Sequence, residues 1–358
     1  MCPIACQGRI PVVKKKWCLL FAATVFALLL GEAAMRLVAL GTWMATVRAE
    51  NRSEADGGQE ATLRELIQPS DNNSLVYSLK PRFESHFRGV SVRTNSLGLR
   101  DREIHSRKAP DEFRILGLGD SVMFGWGVEV HDSYLRRVET ELNESYQHGF
   151  VTTVNCGVPG YNTVMEVEQY EKLGSKLDPD LVILHLINND LQPPQFLSTR
   201  PRLFSLRHSA LLAAIMDGRL PRPMGTLVNP GEIEGFDDRR HRDIASEYIH
   251  LTGEVAFNAA LDRLQLLTKG IPVLCLILTR NSPPWKYFAE AVERRGFLVV
   301  ETAPLYSARL AQIVDRPNDE AWKATFWLSE SDPHPNAFGH ELLAQTVVDA
   351  IRENRLLD

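Results

Sequence analysis

A serine lies just after the first strongly apolar segment of the globular region. In FRILGLGDSVMFGWGV (113–128) the apolar run ends at Gly117 and Gly119, which permit a tight turn, and Asp120 and Ser121 follow. Backbone N–H groups at such a point have no helical partner, so the hydroxyl is either a helix cap or a nucleophile beside an oxyanion site. A dinucleotide-binding turn is a third interpretation, but its third glycine is replaced by Val122.

An aspartate and a histidine near the other end of the chain are held by prolines. In SDPHPNAFGH (331–340), Pro333 and Pro335 favour extended backbone at the residues before them, Asp332 and His334. Residues at i and i+2 of an extended chain face the same way, about 6.5 Å apart. The carboxylate can then hold one ring nitrogen of the imidazole and leave the other as a general base.

Two further loops carry hydrogen-bond donors. In VNCGVPGYNT, Gly157 and Gly160 allow a backbone N–H to approach a ligand closely, because no Cβ intervenes. In LINNDL, Asn189 can aim its side-chain amide at the same space. Each loop taken alone is also typical of an ordinary turn.

The elements that must position these loops alternate along the chain. Alternation of apolar strands with helices predicts a parallel sheet wrapped by helices, in which reactive groups gather beyond the carboxyl ends of the strands. The predicted strands are 113–119, 151–155, 180–186, 271–278 and 296–302. The predicted helices are 132–146, 164–177, 244–269 and 336–354.

The order Ser, Gly, Asn, His along these loops resembles the SGNH (GDSL-type) hydrolase family, whose four sequence blocks carry these residues. The resemblance covers roughly residues 113–345, and TNSLGLRD (94–101) with GWGV (125–128) looks like the membrane-anchored bacterial branch. It implies a flavodoxin-like three-layer α/β/α fold with a five-stranded parallel sheet, preceded by an N-terminal transmembrane helix.

The same resemblance implies roles for five residues. Ser121 would be the nucleophile, His334 the base and Asp332 the residue that orients it. The oxyanion hole would consist of the N–H groups of Ser121 and Gly160 and the side chain of Asn189.

Two departures from the family pattern stand in the chain. Ile187 occupies the glycine position of the third block, Gly-x-Asn-Asp. Asp332 and His334 are two residues apart where the family usually has three, a spacing that resembles related exopolysaccharide acetyl-transfer proteins.

The N-terminus predicts a membrane anchor. Lysines 14–16 precede the apolar run WCLLFAATVFALLLG, and Glu32 and Arg36 follow at helical spacing, where they can pair. Residues 17–40 are long enough to span, with 1–16 cytoplasmic and the remainder extracytoplasmic. A cleaved secretory signal ending near Ala39-Leu40-Gly41 is the alternative. Residues 41–76 are predicted to be a tether and 77–358 the hydrolase domain, with 191–240 as an insertion and candidate lid.

The composition of the chain limits the ligands and partners that can be expected. The chain has 358 residues, 44% hydrophobic, and a net charge of −5, which predicts no nucleic-acid footprint. Three of the five cysteines lie in or before the anchor, so no disulfide framework is indicated. No metal-ligand spacing is found, and no cofactor is expected.

Three functions remain open. The first is an exported, membrane-anchored serine esterase acting on O-acyl esters, including O-acetyl esters, of carbohydrate or lipid. The second is a polysaccharide O-acyltransferase on the same scaffold. The third is a catalytically inactive envelope protein.

Overall fold

The computed structural model describes residues 12–53, 60–70, 72, 74–198, 209–217, 227–228 and 249–357. The chain divides into two compact units. The smaller comprises Met1–Gly58 and Thr199–Thr226, and the larger comprises Gln59–Ser198 and Leu227–Asp358.

Strands and helices alternate through most of the larger unit. The strands are β1 Ile67–Pro69, β2 Tyr77–Leu79, β3 Glu84–Phe87, β4 Val90–Arg93, β5 Glu112–Leu118, β6 Phe150–Asn155, β7 Leu181–His185, β8 Leu197–Ser198, β9 Leu227–Val228, β10 Val273–Ile277, β11 Leu298–Glu301, β12 Trp327–Ser329 and β13 Asp332–Pro335. The helices of the whole chain are α1 Val12–Ser53, α2 Leu63–Leu66, α3 Ser121–Phe124, α4 Tyr134–Ser145, α5 Thr163–Lys172, α6 Ala210–Asp217, α7 Gly253–Leu267, α8 Trp285–Glu293, α9 Ala303–Ile313, α10 Asp319–Phe326 and α11 Ala337–Glu353.

The central sheet has five strands in the order β11–β10–β7–β5–β6, and every neighbouring pair is parallel. Within this sheet β5 comes first along the chain, and it is flanked by the second strand, β6, and the third, β7, which is the flavodoxin-like order. This confirms the predicted sheet. The chain passes from β5 to β6 on one side and then crosses from β6 to β7 on the other side of β5, so the crevice for a ligand opens between the carboxyl ends of β5 and β7.

Helices cover both faces of this sheet, which completes the predicted three layers. Along β7, Leu181 and Ile183 point to one face and pack in a cluster with residues of α4 and α11. Val182 and Leu184 point to the other face and pack with residues of α5, α7 and α8. All four are fully buried, because a strand covered on both sides must be apolar throughout.

The described residues between 60 and 79 differ from one prediction. The sequence indicated a polar tether over 41–76, but α1 continues to Ser53 and β1 pairs antiparallel with β2. Their apolar side chains enter a core cluster with Tyr161 and Phe196. The buried residues of this segment are Leu66, Ile67, Leu75, Val76 and Tyr77. The apolar residues of this segment are scattered among polar ones and show no periodic pattern. Their burial depends on contacts with residues far away in the sequence.

Other elements depart less from the predictions. Helices α8, α9 and α10 were not predicted, and α5 ends at Lys172, ahead of a short 3₁₀ turn. Most of the 191–240 insertion, the candidate lid, lies outside the described residues. Three parts of the insertion are described. The first is 191–198, with β8 at its end, the second is 209–217, which contains α6, and the third is β9. Strands β8 and β9 pair antiparallel.

The smaller unit contains α1 and α6. Within α1, Lys16–Gly41 is a candidate membrane span of 26 residues with a mean hydropathy of 2.1, and its most apolar stretch is not buried in the protein. Helix α6 packs against α1. The length and composition of Lys16–Gly41 agree with both predicted alternatives, an anchor and a signal sequence.

Candidate active site

Ser121 lies at the carboxyl end of β5 and is the first residue of α3. Asp120 caps this short helix, since its carboxylate accepts a hydrogen bond from Val122 N–H at 3.1 Å. Gly119 is required by the close packing of the turn, because a Cβ there would lie 2.7 Å from the Cβ of Met123. The strand and the cap together point the Ser121 hydroxyl into the crevice between β5 and β7.

His334 reaches the same point from the opposite end of the chain. It lies in β13, which pairs with β12 immediately before α11. His334 Nε2 is 2.8 Å from Ser121 Oγ, and His334 Nδ1 is 2.5 Å from Asp332 Oδ1. The structure therefore brings these three predicted residues into one hydrogen-bonded chain. The extended DPHP segment places Asp332 and His334 side by side despite their spacing of two.

The charge state of Asp332 suits this arrangement. Partial burial raises the pKa of the Asp332 carboxyl, but hydrogen bonds from the His334 ring and from Trp126 outweigh that effect and lower the pKa below its ordinary value. An ionised carboxylate at Nδ1 favours a proton on that nitrogen. The lone pair of Nε2 is then directed at Ser121.

Trp126 supports the pair from the side, and the sequence analysis did not single it out. Its Nε1–H donates to Asp332 Oδ2 at 3.1 Å, and its ring stacks on the His334 ring with centroids 4.9 Å apart. Phe87 packs edge-on against the same indole. The sequence did contain a sign of this role. Trp126 stands between two glycines in GWGV, and a large aromatic side chain on such a tight loop either packs against the core or contributes to a functional site.

Arg100 fixes the loop that carries Trp126. Its guanidinium is buried and donates to four backbone carbonyls, those of Gly125, Val128, Ser91 and Phe124, at 2.5–3.3 Å. Burial lowers the pKa of Arg100 to about 10, so it remains charged at neutral pH. The TNSLGLRD segment thus has a structural function, which is to hold the GWGV loop against the Asp332–His334 pair.

The two glycines of the second loop differ in their backbone hydrogen bonds. Gly157 N–H donates to Asn155 Oδ1 at 2.9 Å and is occupied. Gly160 has a positive φ of 77°, and no acceptor for its N–H is found among the described residues. Asn189 and Gly160 line the same cavity as Ser121 and His334. Within the described part of the chain, Asn189 Oδ1 is buried with no hydrogen-bond partner.

The cavity in front of Ser121 has a volume of about 750 Å³, and its walls are largely apolar with several aromatic rings. Leu63 of α2 and Arg88, which follows β3, line it on one side, and Gln195 and Phe196 line it from the start of the insertion. The aromatic lining residues are Trp126, Phe196, Trp285, Tyr306, Trp322, Phe326 and Trp327. Such a volume and lining are typical of a small-molecule site. Among the described residues, no group of three or more His, Cys, Asp or Glu is arranged to hold a metal ion.

The family follows from comparison with known proteins. The model of the GDSL-like Lipase/Acylhydrolase family matches residues 118–342, which is more than half of the chain. The chain belongs to this family. It is therefore a hydrolase of ester bonds. Comparison with curated proteins gives no match.

Several solved structures are similar to this hydrolase. A lipase/acylhydrolase from Enterococcus faecalis is 14% identical, with a TM-score of 0.38, over 68% of this chain and 96% of its own. Axe2, an acetylxylan esterase from Geobacillus stearothermophilus, is 15% identical, with a TM-score of 0.40, over 67% and 94%. LAE5, an alpha/beta hydrolase from the metagenome of Lake Arreo, Spain, is 16% identical, with a TM-score of 0.39, over 68% and 96%.

The hydrolase accommodates isoleucine at the glycine position of its third block. Ile187 N–H donates to Asp190 Oδ2 at 2.6 Å, and Asp190 Oδ1 accepts from Thr163 Oγ1. The Ile187 side chain packs against a core cluster and lines the cavity. The loop that carries Asn189 is therefore anchored by a buried aspartate, and it keeps a defined turn although isoleucine replaces the glycine of the family pattern.

Buried carboxyls lie behind the nucleophile. Ser121 Oγ is 2.9 Å from Asp120 Oδ2 as well as close to His334. Burial raises the pKa of the Asp120 carboxyl, against opposing hydrogen bonds from Val122 and Ser121. A serine hydroxyl has one proton to donate. In this arrangement the Ser121 hydroxyl donates to Asp120 Oδ2, and His334 Nε2 at 2.8 Å is the second acceptor within reach, to which the proton must pass for Ser121 to act as a nucleophile.

Glu166 gives a prediction about the pH dependence of stability. Its side chain is 1% exposed, both carboxyl oxygens lack partners among the described residues, and burial followed by the Asp190 charge raises its pKa well above 4.5. The folded state therefore keeps a proton that the unfolded chain releases. This contribution to stability is fully present below pH 4.5 and is lost as pH rises through the folded pKa.

We expect Glu166→Gln to lose less stability than the wild type when pH rises from about 5 to about 8. Thermal unfolding of the full-length protein in detergent, followed by tryptophan fluorescence at both pH values, measures the difference. Glu254→Gln on the surface of α7 is the matched control and should follow the wild type. Equal pH dependence of all three proteins would contradict a buried, protonated Glu166.

Proposed function

We propose that the chain is an exported, membrane-anchored serine esterase that hydrolyses O-acyl esters, including O-acetyl esters, of carbohydrate or lipid. One observation carries the proposal: Ser121 Oγ lies 2.8 Å from His334 Nε2, whose other nitrogen is bound to Asp332. Nucleophile, base and orienting carboxylate in such a chain are the requirements for acyl transfer through a covalent intermediate.

In the acylation step, Ser121 Oγ attacks the ester carbonyl carbon while His334 Nε2 takes its proton. The tetrahedral oxyanion is held by the N–H groups of Ser121 and Gly160 and by the Asn189 amide. Collapse breaks the bond to the alcohol, which leaves with the proton from His334. Trp126 keeps the imidazole plane fixed during both proton transfers.

In the deacylation step, His334 takes a proton from water, and the resulting hydroxide attacks the acyl-Ser121 carbonyl. Collapse releases the carboxylic acid and returns the proton to Ser121. A sugar hydroxyl in place of water would give transfer rather than hydrolysis by the same steps. The aromatic walls suit the apolar face of a sugar ring or an acyl chain.

Anchoring is supported by Lys16–Gly41, which exceeds the roughly 20 residues needed to cross a bilayer. The lysines that precede it favour a cytoplasmic N-terminus, with the larger unit on the other side of the membrane.

Hydrolysis of p-nitrophenyl esters of increasing acyl length by the full-length protein tests the proposed activity. We expect turnover that is fastest with acetyl, and release of acetate from acetylated oligosaccharides. Addition of an unacetylated oligosaccharide should leave acetate release unchanged if water is the acceptor. Acetyl transfer to the oligosaccharide would instead identify an acyltransferase, and no turnover with any ester would refute both.

Asn189→Ala is expected to lower kcat by about 10²–10³-fold without abolishing turnover, because one of three oxyanion donors is lost. KM should change little, since the donor acts on charge that develops only in the transition state. Steady-state kinetics with p-nitrophenyl acetate measure both constants. Asn188→Ala at the neighbouring, exposed asparagine is the control. A kcat within threefold of the wild type in Asn189→Ala would exclude this donor.

A further inference from the structure

A carboxylate and a guanidinium lie inside the apolar part of α1, and the proposed esterase chemistry uses neither. Glu32 and Arg36 fall within the candidate span Lys16–Gly41. Charged side chains in a membrane span are costly and persist where they have partners and a function. Arg36 supplies one partner at 2.6 Å, but a carboxylate has room for about four hydrogen bonds.

The remaining partners of Glu32 come from the start of α6, far away in sequence. Its carboxylate accepts hydrogen bonds from Ser209 Oγ at 2.7 Å, Ala210 N–H at 2.8 Å and Leu211 N–H at 3.0 Å. These N–H groups belong to the first turn of α6, where a helix has no internal acceptors and carries partial positive charge. Glu32 therefore caps α6 from another helix.

Close packing accompanies this polar contact. A Cβ on Gly31 would lie 3.1 Å from Leu211 Cδ2, so the absence of a side chain at Gly31 makes room for Leu211. Gly31 and Glu32 are adjacent on α1, and Leu211 contacts both through different atoms. Two features thus specify the docking of α6 on α1. One is the hydrogen-bonded cap that Glu32 provides, and the other is the space beside Gly31 that the Leu211 side chain fills.

The side of α6 that this docking leaves open is apolar. Leu212, Ile215 and Met216 are 56%, 72% and 74% exposed. Positions i, i+3 and i+4 share one face of a helix. Among the described residues of α6, no charged side chain precedes Asp217 at its end. A face of this kind on an exported protein requires an apolar environment.

The position of Glu32 along α1 identifies that environment. At 1.5 Å per residue it lies about 24 Å from Lys16, and a bilayer core is about 30 Å thick. The first turn of α6 is therefore close to the membrane boundary remote from the lysines. With 8 residues α6 is about 12 Å long, too short to cross the membrane but long enough to lie at its surface.

We propose that α6 is a second membrane-binding element, a short helix tethered by Glu32 to the anchor, with Leu212, Ile215 and Met216 inserted into lipid. The occupant of this face is the bilayer itself. The proposal rests on the membrane-spanning character of α1 and is independent of the esterase chemistry.

Site-specific quenching by lipid tests the proposal in the full-length protein. Cys2, Cys6 and Cys18 are replaced by serine, while the buried Cys156 and Cys275 are retained. A fluorophore is attached to Ile215→Cys, and the protein is reconstituted into vesicles with nitroxide-labelled phospholipid. We expect the nitroxide to reduce the emission about twofold or more, as for a side chain at the acyl-chain boundary.

Two further positions make every outcome decisive. Leu29→Cys in α1 is the positive control, and Val255→Cys, an 85% exposed apolar position on α7, is the negative one. Quenching at Leu29 without quenching at Ile215 would overturn the proposal for α6 alone. Absence of quenching at both would overturn the anchor as well. An Ile215 position shielded from a water-soluble maleimide yet unquenched would indicate a protein partner, such as a second copy, and would also overturn the proposal.

The tether itself is tested by Glu32→Ala in the Ile215→Cys background. We expect quenching at position 215 to fall and maleimide labelling to accelerate about tenfold, because the cap that holds α6 at the boundary is lost. Glu32→Gln, which keeps the size and one acceptor oxygen, should have a smaller effect. Quenching at 215 that is unchanged in both variants would show that Glu32 does not hold the helix.

Discussion

Ser121→Ala is expected to abolish covalent labelling by a fluorophosphonate and to lower ester hydrolysis by about 10⁶-fold, the order found when a triad nucleophile is removed. The reagent needs the Ser121 oxygen, and 2.8 Å to His334 Nε2 is the geometry that activates it. In-gel fluorescence after labelling of the full-length protein gives the first result, and p-nitrophenyl acetate turnover gives the second. The remaining rate would come from the oxyanion donors alone.

The control for this variant is Ser175→Ala. Ser175 is exposed on a 3₁₀ turn, and its hydroxyl bonds to a carbonyl of the preceding helix. Removal of that hydroxyl should leave labelling and turnover unchanged. Labelling of Ser121→Ala at the wild-type level would mean that another residue is the nucleophile, and the esterase assignment of this site would have to be abandoned.

Gly160→Ala is expected to lower kcat by about 10²–10³-fold or more, because the added Cβ displaces the N–H proposed to hold the oxyanion. That Cβ would lie 2.2 Å from the Cβ of Gln195 and 3.0 Å from Tyr77 Oη, so the loop must move. A positive φ of 77° adds backbone strain of about 1–3 kcal/mol for any residue with a side chain. Kinetics and thermal unfolding of the same preparation separate lost function from lost fold.

Gly270→Ala isolates the backbone contribution. Gly270 has a similar φ of 87°, and a Cβ there would meet nothing within 4 Å. It should show the loss of stability without the loss of kcat. If Gly160→Ala remains folded and retains kcat within threefold of the wild type, Gly160 N–H is not an oxyanion donor.

The arrangement of supporting residues explains why the site tolerates its unusual sequence. An Asp–His spacing of two shortens the last loop, and Trp126 compensates by binding Asp332 and stacking on His334. Ile187 replaces a glycine, and Asp190 holds its backbone in the required turn. Trp126 lies beyond the Ser block, in the GWGV loop, whereas Asp190 is the last residue of the third block itself. The two compensations give Trp126 and Asp190 positioning functions in the proposed mechanism.

The sequence by itself determined the layered fold and the loops in which to search. Alternating apolar strands and helices require a parallel sheet with both faces covered, and its strand ends gather at one edge. Local stereochemistry was also sufficient for DPHP, because proline restricts the residue before it whatever the rest of the chain does. Glu32 and Arg36 were predicted to pair for the same reason, since helical spacing is local.

The tertiary structure alone decided what each local feature contacts. That Glu32 caps α6, that Arg100 holds the GWGV loop and that Leu66 and Val76 enter a core depend on partners far away in sequence. The family resemblance pointed to Gly160 rather than Gly157, but the physical difference between their N–H groups depends on Asn155, which accepts the hydrogen bond of Gly157. Periodicity and backbone stereochemistry act over a few residues, so they fix the elements. The choice of partner depends on shape and on unsatisfied hydrogen bonds, which exist only once the chain has folded.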